Sequence, residues 1–249
     1  MPLHIQKPEE LRHMKGLVFG PPGQGKTTLL GTAQYDERTS PILILDFEGG
    51  SESLVGLDVD IVRVTSWDIY NEAFDFLAND KHDYKSVGID SISETHVFSL
   101  LNILKLEGPT RKDPDLLQQG DYGKALVLMR RFLREFRDLP MHVFFTALAK
   151  DELDPREGMV KKPALAGALA DEVPGMMGIV AYLALTTDND GNTMRTLLLK
   201  NHARIRTKVR SSWAHHEEVP NEIDNPTVTA LLDMLQYPTI NPSPTPRKK

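Results

Sequence analysis

The sequence predicts an α/β fold: a mostly parallel central sheet flanked by helices, with an antiparallel C-terminal extension. Three observations carry that expectation. Short apolar runs alternate with longer amphipathic stretches, the pattern of a sheet covered by helices on both faces. Between the first apolar run and the first amphipathic stretch lies Gly20-Pro21-Pro22-Gly23-Gln24-Gly25-Lys26-Thr27, a glycine-rich strand-to-helix connection. Beyond Thr146 the alternation gives way to two apolar runs joined by Asp188-Asn189-Asp190-Gly191-Asn192, whose composition suits a tight hairpin turn.

Taken in order, strands are expected at 16–19, 42–46, 61–64, 86–90 and 142–146, each ending at or just before a small or polar residue. Helices are expected at 26–34, 69–77, 91–106 and 122–138. In the last of these, Leu126, Met129, Leu133 and Phe136 recur at helical spacing and mark the buried stripe. The antiparallel pair is expected at 179–186 and 194–200. A final helix is expected at 227–235, with Asn225 as its cap and Pro226 in its first turn. Residues 105–120 and 149–167 read as long connections. The core is expected to span 14–237, between a short lead of 1–13 and a proline-rich tail of 238–249 that ends in Arg247, Lys248 and Lys249.

With 249 residues and 40% hydrophobic content, the chain can bury one full sheet in a single domain. Its net charge of -6 excludes a uniformly basic coat and leaves room for a local basic groove. Cysteine is absent, which excludes disulfides, cysteine-based zinc sites and thiol nucleophiles and suits a reducing, cytoplasmic setting. No run approaches the roughly 20 apolar residues of a membrane span, so no membrane partner is expected. Adjacent His215 and His216 lack the i, i+4 spacing of a helical zinc motif and read as a surface cluster. Trp67 and Trp213 read as packing residues.

The chemistry starts at Gly20 to Thr27, which matches the full pattern of glycine, four residues, glycine, lysine and threonine. Its glycines let backbone N–H groups turn inward as an anion nest, and the start of the following helix adds partial positive charge at the same point. Gly20, Pro21, Pro22, Gly23, Gln24, Gly25, Lys26, Thr27 and Thr28 are therefore expected to hold the phosphates of ATP. Lys26 would supply charge to the β and γ phosphates, and the Thr27 hydroxyl a ligand to Mg2+. The extra early lysine of partition-type ATPases is missing, because that position is Pro21. Val87-Gly88-Ile89-Asp90 is an apolar strand ending in an acid, and Asp90 is the expected Mg2+-orienting carboxylate. Asp46 and Glu48 form a competing acidic site; Glu48, just past its strand, is placed to polarise an attacking water.

Together GPPGQGKT, LDFEGG, VGIDS and VFFTALAK resemble the RecA-like P-loop ATPase core, in particular the compact phage nucleotide-binding proteins of the Sak and AAA_24 group. The resemblance covers residues 14–237. It implies Glu48 as the catalytic glutamate and Thr146 as a sensor of nucleotide state. It also implies a homo-oligomer, ring or filament, in which a basic residue of one subunit completes the site of the next. Lys208 and Arg210 are the candidates for that role, with Arg204 and Arg206 as alternatives; their alternate spacing would place all four on one side of an extended segment.

The resemblance further implies single-stranded DNA as a partner, met by the two long connections. Lys105, Arg111 and Lys112 in the first, and Lys150, Lys161 and Lys162 in the second, supply charge for phosphates, although neither connection carries an aromatic side chain to stack on bases. The implied function is an ATP-hydrolysing, phage-type recombination protein that anneals or exchanges strands, with a single-strand-binding protein as a further candidate partner. The alternative is a replication or loader accessory whose ATP state controls protein contacts. A small-molecule kinase fits less well, since no arginine-rich lid is evident.

Overall fold

The computed structural model describes residues 13–187, 190–200, 202–211 and 217–237. The lead up to residue 12, Asp188 and Asn189 of the expected turn, Trp213, the His215-His216 pair and the tail from 238 lie outside the described residues.

Continuous apolar runs form the centre of the sheet because both of its faces are covered. β2 (Ile42–Asp46) and β4 (Ser86–Asp90) are buried at every residue. They lie in one sheet with β1 (Lys15–Gly20), β3 (Asp60–Arg63), β5 (His142–Asp154), β7 (Ile179–Thr187), β8 (Thr193–Leu198) and β10 (Glu222–Asp224). The spatial order is β10-β8-β7-β1-β5-β4-β2-β3; β6 (Gly158–Pro163) pairs with β5, and β9 (Lys208–Val209) with β7. Pairing is parallel from β3 through β7, and β8 turns antiparallel against β7. The expected antiparallel extension is thus present. β1 lies between β5 and β7, so the chain builds β2 to β5 on one side of it and then crosses to the other side for β7, the arrangement that opens a crevice beyond the strand ends.

Period-two alternation assigns each strand to two cores. Leu17 and Phe19 of β1, with Leu43 and Leu45 of β2, face α2 (Trp67–Asn79), α3 (Ile92–Glu107), α4 (Gln119–Arg137) and α5 (Leu169–Met176). Val18, Ile42 and Ile44 face α1 (Lys26–Gly31) and α6 (Val228–Met234). Trp67 is a packing residue in the first core, against Tyr70 and Phe132.

Several boundaries differ from expectation, each for a local reason. α4 starts earlier because Gln118 and Asp121 form a capping box, and its buried stripe adds Ala125 and Phe132 while Leu126 is only partly covered. β5 does not stop at Thr146: it runs on to Asp154 and pairs with β6, so the expected second connection is largely a hairpin. The Asp154 carboxylate accepts from the N–H groups of Arg156 and Glu157, and Gly158 takes a left-handed φ of 79°, which closes the turn. α1 stops at Gly31 and continues as a 3-10 turn, Thr32–Tyr35. α5 went unforeseen because Pro174 and Gly175 lie inside it. α6 is capped by Thr227, whose hydroxyl accepts from Ala230 N at 3.1 Å; Asn225 instead takes a φ of 45° ahead of the cap.

At the N-terminal end of the sheet, His142 is 2% exposed, and its Nδ1 accepts from Met14 N at 3.1 Å. Burial, with nearby His13 and Lys15, pushes His142 down to about 3; burial pushes His13 down to about 4. Below the unfolded-state value of about 6.5 the unfolded chain protonates both rings while the folded chain does not, so stability falls with falling pH. Urea midpoints are expected to drop between pH 6.5 and 5, above the range in which carboxylates titrate, and His142→Asn is expected to flatten that slope.

Candidate phosphate-binding and hydrolysis site

β1 ends where its chain must turn sharply. A side chain at Gly20 would place its Cβ 2.4 Å from the Leu183 carbonyl oxygen of β7, so only glycine allows the two strands to close up there. Gly23 and Gly25 follow with φ of 75° and 91°, and Gly25 leads directly into α1. Residues 20–25 thus form the loop, and Lys26 is the first helical residue.

Lys26 is 7% exposed, and its Nζ reaches back across the loop to Gly20 O at 3.1 Å and Pro21 O at 2.9 Å. Burial lowers its pKa, opposed by the charges of Glu48 and Asp90. Thr27 Oγ1 donates to Asp90 Oδ2 at 2.5 Å, and Thr146 Oγ1 donates to Asp90 Oδ1. Asp90 is 2% exposed; burial raises its pKa, while the hydroxyls of Thr146 and Thr27 work to lower it. Ser91 Oγ donates to the Glu48 carboxylate. Lys26, Thr27, Glu48, Asp90 and Thr146 therefore converge at the C-terminal edge of β1, β2, β4 and β5.

The structure also separates the two acids of the competing site. Asp46 is buried and engaged: its carboxylate accepts from Gly49 N at 2.6 Å and from Arg63 Nη1 at 3.0 Å. Glu48 stays exposed beside Lys26 and Ser91. No group of three or more His, Cys, Asp or Glu able to hold a metal exists among the described residues. What is present, a carboxylate and a hydroxyl in contact beside a phosphate loop, fits Mg2+, a hard ion that keeps water and phosphate oxygens as ligands and seldom needs an all-protein cage.

Two features here escaped the sequence reading. Gln24 Oε1 accepts from Leu185 N of β7 at 2.6 Å, and Arg195 Nε of β8 donates to Gln24 O at 3.1 Å, so the antiparallel pair grips the loop from outside. Arg195 passes so close that a Cβ at Gly25 would fall 2.4 Å from its Nε. Arg195 borders a cavity of about 200 Å3, shared with Thr28, Leu29, Leu183 and Pro226, on the side of the loop away from Glu48 and Asp90. A lone arginine in an alternating strand carries no sequence signal. The larger cavities, about 570 and 530 Å3 along α2 and α4, share no residue with the loop.

The remaining candidate residues are held elsewhere. Lys208 Nζ donates to Pro174 O and Arg210 to Gly175 O, both at 2.8 Å, where β9 pairs with the first residues of β7. That is the end of the sheet opposite their own phosphate loop. Arg206 pairs with Asp154 and Glu157 of the β5–β6 hairpin, and Arg204 adopts a φ of 64°, which interrupts the alternation expected of these four. Arg111 is bound by both oxygens of Asp121 and by Glu107, and Lys105 by Asp68. Lys150 and Lys162 share Glu152, Lys162 also meets Asp171, and Lys161 meets Asp151. Lys112 is exposed.

A sequence model of the AAA domain family AAA_24 matches residues 12–211, and the chain belongs to that family. With its glycine-rich loop following an interior strand of a mostly parallel sheet, it is an AAA-type P-loop ATPase core. Among solved structures it is similar to the RadB recombinase, at 16% identity over 75% of this chain and 80% of that one, with a TM-score of 0.40. It is also similar to an ATPase of the type III secretion system of pathogenic bacteria, at 14% identity over 68% and 51%, with a TM-score of 0.41. The Legionella pneumophila ATPase DotB is a third, at 11% over 78% and 48%, with a TM-score of 0.35. No curated protein sequence matches. No helix among the described residues is long and apolar enough to cross a membrane.

Gly25→Ala combines a disfavoured φ with a clash against Arg195, and it is expected to weaken MgATP binding by about 10-fold or more, from a strain of at least about 1.4 kcal/mol. Titration calorimetry reads this directly, with Gly50→Ala, which meets nothing within 4 Å, as the tolerated control.

Proposed function

We propose that this member of the AAA_24 family hydrolyses ATP to ADP and phosphate at the loop of residues 20–27, and that it acts as a phage-type recombination protein on single-stranded DNA as a homo-oligomer. The observation that carries the ATPase reading is the convergence of Lys26, the Thr27–Asp90 contact and the Ser91-supported Glu48 at one edge of the sheet.

In this reading the loop N–H groups and Lys26 would neutralise the phosphates, and Thr27 and Asp90 would hold Mg2+, which would supply further positive charge against the transferring phosphoryl group. Glu48 orients a water molecule and accepts its proton as the water attacks the γ phosphorus; the bond to the bridging oxygen breaks, leaving ADP and phosphate. Thr146, bonded to Asp90, is the natural sensor of whether that carboxylate is engaged. The cavity beside Arg195 and Pro226, whose lining does not include Glu48, would offer space for the sugar and base. Lys208 and Arg210, at the far end of their own sheet, act on the nucleotide of a neighbouring subunit. Assembly as a ring or filament follows from that division.

DNA contact falls to the β5–β6 hairpin and the α3–α4 connection. The hairpin continues β5 beyond the level of Gly20, which pairs with Leu148, and so extends past the nucleotide edge. Lys150, Lys161 and Lys162 on it, and Lys105, Arg111 and Lys112 near α4, are the proposed contacts, with a single-strand-binding protein as a further partner. Most of these cations already hold carboxylate partners, which favours a second reading: an accessory protein whose ATP state switches protein contacts.

Hydrolysis measured with and without single-stranded DNA separates the two. Stimulation by DNA, absent in Lys26→Ala and Glu48→Gln, is the result expected of the recombination protein; hydrolysis indifferent to nucleic acid is that of the accessory. Mixing Lys26→Ala with Lys208→Ala/Arg210→Ala is expected to restore part of the activity, because some interfaces then pair an intact loop with an intact basic segment.

A further inference from the structure

Glu48 is the most exposed of the site's functional acids, yet its neighbours in sequence are both anchored. On one side, Phe47 N donates to Asp90 O at 2.7 Å, and the ring packs edge-on against Phe98 and Phe132 in the main core. On the other side, Gly49 has a φ of 82° and donates its N–H to Asp46. Asp46 has no place among the nucleotide-binding groups, and its second oxygen accepts from Arg63. The guanidinium lies directly against Gly49, where a Cβ would come within 2.1 Å of both terminal nitrogens.

We propose that Arg63, on the edge strand β3, is a positioning residue for Glu48: through Asp46 and Gly49 it fixes the turn that presents the Glu48 carboxylate to Lys26 and Ser91. The proposal rests on the reading of Glu48 as the water-orienting group.

The geometry supports a role distinct from general stability. Asp46 and Arg63 are register partners on β2 and β3, and Val64 N donates to Asp46 O at 2.9 Å, so the strand pairing itself survives loss of the side chain. The Asp46 side chain is 2% exposed and that of Arg63 52%, so the pair straddles the surface and its outer half can be removed without opening the core. The Phe47 anchor is built into that core. The Gly49 anchor depends on one carboxylate, and Arg63 is the charge that holds the carboxylate in place. Removing Arg63 leaves Asp46 close to Glu48 and Asp90 without its compensating cation, and leaves the turn free to reorient.

Single-turnover hydrolysis tests this in wild type, Arg63→Gln, Arg63→Lys, Glu48→Gln and the double variant Arg63→Gln/Glu48→Gln. Arg63→Gln is expected to lower the hydrolysis rate about 10- to 100-fold, the scale of a small misplacement of a catalytic group, while leaving the Kd for MgATP near wild type and lowering the Tm only slightly, because Arg63 is half exposed. Arg63→Lys is expected to recover part of the rate, and the double variant to be no slower than Glu48→Gln alone, because both changes disable one group. Losses that multiply in the double variant, or a rate loss accompanied by equal losses in Kd and Tm, would overturn the proposal, as would a wild-type rate in Arg63→Gln while Glu48→Gln is impaired. A wild-type rate in Glu48→Gln defeats the reading of Glu48 itself, a separate failure.

Discussion

The carboxylate of Asp90 joins the parts of the molecule on which the rest depends. It ends β4, is almost fully buried, and meets a hydroxyl on each oxygen: Thr27 from α1 and Thr146 from β5. Hydrogen bonds to a charged acceptor contribute about 1.5–3 kcal/mol each, the right scale to hold together the first helix and two neighbouring strands at one point. Burial still prevails and leaves the carboxyl above its ordinary range. In the proposed site a divalent cation beside it would add positive charge to that of Lys26 and offset this burial.

Around that point the chain assigns its three neighbouring acids to different tasks by burial and partner rather than by residue type. Asp46 is buried and neutralised by Arg63, Asp90 is buried and bonded to hydroxyls, and Glu48 is exposed with one serine hydroxyl. Only the last keeps both a free approach from solvent and a position beside Lys26, which is what water activation requires. The parallel sheet makes this possible: β2 and β4 pair with Asp46 opposite Asp90, so both carboxylates emerge at one level, and Glu48 follows two residues later. The same sheet sends Lys208 and Arg210 to its other end, so that the proposed basic contribution to hydrolysis comes from a second copy and links catalysis to assembly.

Much of this was legible in the sequence. Gly20 to Thr27 was readable because phosphate binding by backbone requires glycine at set spacing, and β2 and β4 were readable because strands buried on both faces must be continuously apolar. Glu48 was singled out from its place just past β2 and from the resemblance, but the bond that Arg63 makes to Asp46 from the neighbouring strand was not legible. The hairpin after Thr146 was hidden for a related reason: the consecutive charges Lys150-Asp151-Glu152 and Lys161-Lys162 break the apolar alternation of a strand, and cross-strand pairs such as Asp151 with Lys161 support it. Arg195 was invisible because its importance lies in where β8 returns, beside Gly25, and spacing along the chain does not report that. Basic residues read as free for DNA proved to be mostly ion-paired, which composition cannot distinguish.

Asp90 and Thr27 are proposed to hold a divalent cation jointly with a nucleotide bound in the loop. Electron paramagnetic resonance with Mn2+ in place of Mg2+ tests it most directly, by titrating metal into the protein with and without ADP, in wild type and Asp90→Asn. A bound Mn2+ signal that requires ADP and is lost or greatly weakened in Asp90→Asn is the expected result. Mn2+ bound equally well without nucleotide, or unchanged by the substitution, would contradict it.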